Sequence, residues 1–175
     1  MDSLPEPWLR GPLEGVSPLF APTLYAFEQV REDLLKHTHA LTGQHVWLRP
    51  YGLAPLGFQL RHIAGSVERL GTYLLGQELT PQQLAALQRE MDPGEELTAL
   101  LHKVNRALDD VERIIRATPE QSAREPRYVG RKKLPTTVIG LIIHIAEHTL
   151  RHTGQAISAA KLARAMVPES GDSAD

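Results

Sequence analysis

From Thr136 to Val167 no proline interrupts the chain, and apolar residues return at three- and four-residue steps. That periodicity specifies a long amphipathic helix. Written as a seam, its inward positions are Val138, Leu141, Ile145, His148, His152, Gln155, Ala159, Leu162 and Met166. The ends of the seam are apolar and the centre is polar. Residues four apart share a helix face and stand about 6 Å apart along the axis. His148 and His152 can therefore aim both imidazoles at one point inside the fold. An unpartnered buried polar group costs roughly 1–3 kcal/mol, so three polar residues at the centre of a seam call for a compensating partner. A cation is an economical one, because two histidines at i and i+4 form half a site for zinc-type metals. The bland reading is a set of core histidines bonded to backbone, tyrosine or serine. His144, one further step back, falls at the flank of the seam and reads as a surface group or a support behind the ligands.

A helix this long needs partners, and three more apolar stripes supply them. The first runs from about Pro18 to Leu41 through Phe20, Leu24, Phe27, Val30 and Leu34, with Thr42-Gly43 as its stop. His37 and His39 near its end suit the helix dipole. Val46 to Pro55, with two prolines and Gly52, reads as a loop. The second helix spans about Pro55 to Gly76 on Leu56, Leu60, Ile63, Val67, Leu70 and Leu74. His62 lies beside that seam, on a stripe with Gln59, Ser66, Arg69 and Tyr73, and periodicity leaves its exposure open. Ala64-Gly65-Ser66 is a small-residue patch that reads as room for a neighbouring helix.

Thr80-Pro-Gln-Gln83 has the form of a capping box with proline at the first position, so a short extra helix follows the second long one. It ends before Asp92-Pro-Gly94. The third long helix covers about Glu95 to Thr118 on Leu97, Leu101, Val104, Leu108, Val111 and Ile115. Pro119 to Lys133 is a basic, polar connection that could cover a site mouth, or simply be a solvated loop. Leu134-Pro-Thr-Thr137 opens the histidine helix. No strand pattern, internal repeat, glycine-rich phosphate loop or nucleophile elbow is visible. Met1 to Ser17, rich in proline and glycine, reads as an extended arm, and residues 168–175 as a disordered tail. The expected organisation is one domain over residues 1–167, an all-α four-helix bundle.

Composition excludes several functions. The formal net charge is −2, which argues against a nucleic-acid partner. Cysteine is absent, which removes disulfides, thiolate ligands and a cysteine nucleophile together. No apolar run is long enough for a membrane span, and the N-terminus lacks the order of a signal peptide. A cytoplasmic protein is the expectation.

The segments "FQLRHIAGSVERL" and "PTTVIGLIIHIAEHTLRHTGQAI" resemble the DinB/YfiT-like metalloenzymes, the damage-inducible helical-bundle family and not the translesion polymerase of the same name. The similarity runs from about Ser17 to Met166. It implies a bundle with long crossover connections, a homodimer, and a divalent metal such as zinc or nickel held by His62, His148 and His152. It also implies a small-molecule substrate and, by analogy with some relatives, transferase or isomerase chemistry on a low-molecular-weight thiol. His144, Gln155 and Tyr73 are candidates for supporting positions. No carboxylate stands on the seam beside His148 and His152, which weighs against a hydrolase. The competing expectation is a non-catalytic, stress-associated dimer whose histidine cluster is structural or vestigial.

Overall fold

The computed structural model describes residues 4–39 and 41–167. Six α-helices occur among them: α1 (Ala21–Thr38), α2 (Gly43–Val46), α3 (Leu56–Leu74), α4 (Pro81–Gln88), α5 (Leu97–Ala117) and α6 (Val138–Met166). The four long ones form the bundle, and α4 is the extra short helix between the second and third. α6 packs against both α1 and α3, and α3 packs against α5 as well. α1 and α5 close the ring with a lighter contact. Consecutive long helices α1 and α3 thus stand on a diagonal, as do α5 and α6. Both connections must cross an end of the bundle, the crossover arrangement the resemblance implied. Among the described residues no helix is long and apolar enough to cross a membrane.

The core follows the stripes. Phe20, Phe27, Val30, Leu56, Leu60, Ile63, Val67, Leu100, Leu108, Ile115, Ile142 and Ile145 are almost completely withdrawn from water. Burial of one such side chain contributes about 1.5–3 kcal/mol. Gly71 lets α5 come close to α3: a Cβ there would lie 2.7 Å from Val111 Cγ2.

Helix boundaries follow local chemistry. Thr80 accepts from the Gln83 backbone N–H at 3.2 Å, and Gln83 returns a bond to the Thr80 N–H at 2.9 Å. This is the capping box read in the sequence. Thr137 caps α6 by accepting from the Gly140 N–H. The first long helix ends at Thr38, short of the expected stop at Thr42-Gly43. Thr42-Gly43 instead opens the one-turn helix α2, just ahead of the expected loop, and the His45 ring closes the cap from the other side. His45 is buried, with Nε2 bonded to the Val167 carbonyl at 2.8 Å. His37 does not favour protonation as a dipole partner should. Burial, with Lys161 and Lys36 nearby, lowers its pKa.

The expectation that no strand forms fails at the last crossover. Pro126–Val129 (β1) and Leu134–Thr137 (β2) pair as an antiparallel hairpin, Pro126 opposite Thr137. Strands of four residues containing prolines carry no period-two signal. The turn makes the pairing, with Gly130 at φ 72° and Lys133 at φ 49°. The hairpin braces α3 through Arg127, whose Nε donates to the Leu74 carbonyl at 2.7 Å. The N-terminal arm lies along α1, tied by the Arg10–Glu32 ion pair and by the Tyr25 hydroxyl donating to the Gly11 carbonyl. The tail at 168–175 and residues 1–3 fall outside the described residues.

The inward face of α6 also departs from the expected seam. Its buried residues run Val138, Leu141, Ile142, Ile145, Thr149, Thr153, Ala156, Ala159, Ala160 and Ala163. Past Ile145 the buried stripe moves on by one position. Gln155 and Met166 are exposed, and Leu162, His148 and His152 are half-buried. A straight helix drifts about 20° per heptad from a strict seven-residue repeat. Thr149 and Thr153 can take the inward places because each hydroxyl donates back to its own helix, to Ile145 O at 2.6 Å and Thr149 O at 2.9 Å.

Candidate metal centre

The drift of α6 leaves His148 and His152 on the flank that faces α3, and His62 meets them from α3. Ring centroids are 4.3 Å apart for His62 and His152, 4.6 Å for His148 and His152, and 5.2 Å for His62 and His148. One nitrogen from each ring can be chosen so that all three lie within 4.8 Å of one another. The three histidines are thus positioned to bind a metal ion. The edge of a tetrahedral zinc–nitrogen site is roughly 3.3 Å, inside that 4.8 Å limit. Phe58, one turn before His62, stacks on the His62 ring at 5.5 Å and shields that side.

Two of the three rings have their Nδ1 atom occupied by an acceptor. His62 Nδ1 donates to Glu90 Oε2 at 2.6 Å. An ionised carboxylate only accepts, so the hydrogen sits on Nδ1 and the Nε2 lone pair is free. His152 Nδ1 pairs with Gln59 Oε1 at 2.9 Å, which fixes the same tautomer. Metal-bound histidines are held in this way, by an acceptor on the second nitrogen. His148 differs: its Nδ1 is buried without a hydrogen-bond partner. An orphaned nitrogen beside two oriented imidazoles fits the role of a metal ligand.

Electrostatics suits the same role. Burial is the main influence on His148. It acts together with His152, His62, His144 and Arg151 to push the pKa down to about 4. His152 is lowered too, by burial first, then by His62 and Arg151, with Gln155 and Glu90 pulling the other way. Neutral imidazoles are the metal-binding form.

Glu90 is the residue that pattern reading missed. It follows α4, is 5% exposed, and its Oε1 lies 2.8 Å from Arg69 Nη2. Burial works to raise its pKa, but the His62 hydrogen bond and the Arg69 charge outweigh it and hold the carboxyl below its ordinary range. Gly65 gives this pair its space: a Cβ there would stand 2.6 Å from Arg69 Nη1 and 3.0 Å from Glu90 Oε1. The small patch on α3 therefore admits an ion pair, not a neighbouring helix. Arg61 anchors the segment that carries Glu90. Its Nη1 donates to the carbonyls of Arg89 at 2.6 Å and Asp92 at 2.5 Å, and its Nη2 to Glu95 Oε2 at 3.1 Å. The guanidinium also lies over Trp47, 4.7 Å from the ring centroid.

The seam of α6 holds no carboxylate beside the histidines, but the fold brings one from elsewhere. It reaches His62 from behind, on Nδ1, and is engaged with Arg69. That placement makes Glu90 a hydrogen-bond acceptor that orients His62. The remaining candidates separate clearly. His144 is half-exposed, with its ring 5.5 Å from His148 and Nδ1 3.3 Å from Glu147 Oε2. Gln155 is exposed at the rim. Tyr73 stands about 16 Å further along α3 at 1.5 Å per residue and lines a different cavity. The basic hairpin lies at that same end, so it does not cover the histidines. His45 serves the cap of α2, and His102 is exposed.

No curated protein shows significant similarity to the chain. The sequence pattern of the DinB superfamily matches residues 26–156, a span that takes in α3, α4, α5 and all three clustered histidines. With the diagonal helix order and the facing histidines of α3 and α6, this match places the chain in the DinB superfamily.

Proposed function

We propose that the protein is a metal-dependent enzyme in which His62, His148 and His152 hold one divalent cation, zinc or nickel. The observation that carries this reading is the pair of fixed tautomers. Glu90 and Gln59 occupy the Nδ1 atoms of His62 and His152, so the free lone pairs belong to the two Nε2 atoms. His148 completes the set. Three protein ligands leave a position for a small molecule, the mark of a catalytic rather than a closed structural site. A cation bound there supplies Lewis acidity, lowering the pKa of a water or thiol that joins it. The chain's own part is to keep the His148 and His152 imidazoles neutral, to aim the three rings, and to shield one side with Phe58. Because the chain has no cysteine, a thiol nucleophile would come from a low-molecular-weight cofactor. Transferase or isomerase chemistry on such a thiol is the reaction class we favour. Glu90 is engaged with His62 and Arg69, which supports this over hydrolysis. A cytoplasmic homodimer accompanies the reading; Ile143 and Leu150, exposed on the outer side of α6, offer an apolar face for a second copy.

Elemental analysis of protein purified without added metal, and again after zinc or nickel loading and desalting, tests the centre. About one equivalent is expected, absent in His148→Ala and His152→Ala. No retained metal after loading would remove the reading. The competing one, a stress-associated bundle with a structural or vestigial cluster, predicts the same melting temperature with saturating zinc and with chelator. A metal bound only to the folded state adds about 2.7 kcal/mol at a hundred times its dissociation constant.

A further inference from the structure

The end of the bundle away from the histidines carries a second concavity. It lies between the C-terminal end of α3, the turn into α4 and the β hairpin, and its volume is about 540 Å³. That is the size of pockets that hold small organic ligands. Its wall is of two kinds. Tyr73, Leu79, Leu84 and Tyr128 supply an apolar and aromatic lining, while Arg131 and Lys133 stand on the hairpin side.

The charges are unevenly committed. Arg127, also in the wall, is spoken for: it donates to the Leu74 and Pro126 carbonyls and to Glu125 Oε2. Arg131 makes no side-chain hydrogen bond or ion pair among the described residues. Among the described residues Lys133 is paired only with Glu78, a carboxylate that is also in the wall, at 3.9 Å and nearly fully exposed. A solvent-exposed pair at that separation contributes little and leaves the lysine available. The backbone holds both cations at the tip, since Gly130 and Lys133 adopt positive φ to form the turn. Tyr128 remains 55% exposed beside them, a large aromatic surface at the wall.

We propose that this concavity is a binding site for a small organic anion with an aromatic or branched apolar body. Its carboxylate, sulfonate or phosphate meets Arg131 and Lys133, and its body lies against Tyr73, Tyr128, Leu79 and Leu84. The site is separate from the metal centre. About 16 Å of α3 lie between His62 and Tyr73 at 1.5 Å per residue, more than a ligand of this volume can bridge. Binding here does not depend on the metal.

The probe is 8-anilinonaphthalene-1-sulfonate, an aromatic sulfonate of the proposed class, titrated into the full-length protein and followed by fluorescence. Its uncharged analogue N-phenyl-1-naphthylamine serves as control. One saturable site is expected for the sulfonate. Amide resonances of Gly76 and Gly130, both in the wall, should shift in step with it. Arg131→Glu combined with Lys133→Glu should weaken the sulfonate by about tenfold or more, since attraction at close range becomes repulsion. The neutral analogue should be indifferent to that change. Tyr128→Ala should weaken both, and chelator should alter neither. All three positions are exposed or half-exposed, so circular dichroism and the melting temperature should stay as in the unaltered protein. Absence of saturable sulfonate binding overturns the proposal. So does equal affinity in the charge-reversed variant, or a response confined to residues around His148 and His152.

Discussion

Glu90→Gln isolates what the buried carboxylate does for the histidines. The substitution keeps shape and an acceptor oxygen but removes the charge. In the unaltered chain the bond from His62 Nδ1 to Glu90 Oε2 is 2.6 Å long and sheltered from water, and Arg69 stands 2.8 Å from the other oxygen. Bonds to an ionised partner contribute roughly 1.5–3 kcal/mol, and neutral ones roughly 0.5–1.5. Losing the charge should therefore cost the oriented His62 about 1–1.5 kcal/mol, close to a tenfold loss of metal affinity. Substitutions at partners of metal-bound histidines cost about 10–100-fold in general. The assay is competition for zinc against a chromophoric chelator at pH 7.5, with melts in excess chelator to measure the effect on the fold alone. Arg69 loses its counter-ion, so the metal-free melting temperature should fall as well. Glu90→Asp keeps the charge and should recover part of the affinity. Unchanged zinc affinity in Glu90→Gln, with the protein folded, would refute the claim that this carboxylate positions His62.

Gly65→Ala should weaken metal in the same direction, because the new methyl group displaces the Arg69–Glu90 pair; the gain in helix propensity, about 1 kcal/mol, should offset part of any loss in metal-free stability, and full zinc affinity would count against the role of the pair. The metal-free protein should lose stability on acidification between about pH 6.5 and pH 4. His148 is held neutral down to about 4 when folded, whereas an unfolded histidine takes its proton near 6.5. In that window the unfolded state binds more protons, so stability rises with pH; melts across the range should show a shallower slope in His148→Gln, and an identical slope would disprove the assignment. His45→Ala should lower stability by about 1–3 kcal/mol by orphaning buried backbone groups while zinc affinity stays put, which a chemical denaturation curve beside a zinc titration will check.

The four long helices, the capping box at Thr80 and the cap at Thr137 follow from local pattern, because helix periodicity and end chemistry are written within a few residues of one another. The pairing of His148 with His152 is legible for the same reason. His62 was not decided by periodicity, since a stripe beside a seam can face a second neighbour or water; the likeness of the surrounding segments to a known family pointed to it. The tertiary structure alone decided the rest. Glu90 stands 28 positions from His62, in a turn without any regular pattern, and its place depends on Arg61 gripping three groups of the segment from Arg89 to Glu95. The room for it comes from Gly65, which looks like an ordinary packing glycine until Arg69 is seen beside it. The hairpin was invisible because two four-residue strands take their pairing from a turn and from the crossover that brings them together. The inward face of α6 was read one position out beyond Ile145, since a straight helix departs steadily from a seven-residue repeat while a written seam does not. That departure moves His148 and His152 from the core to the flank beside α3, where His62 meets them.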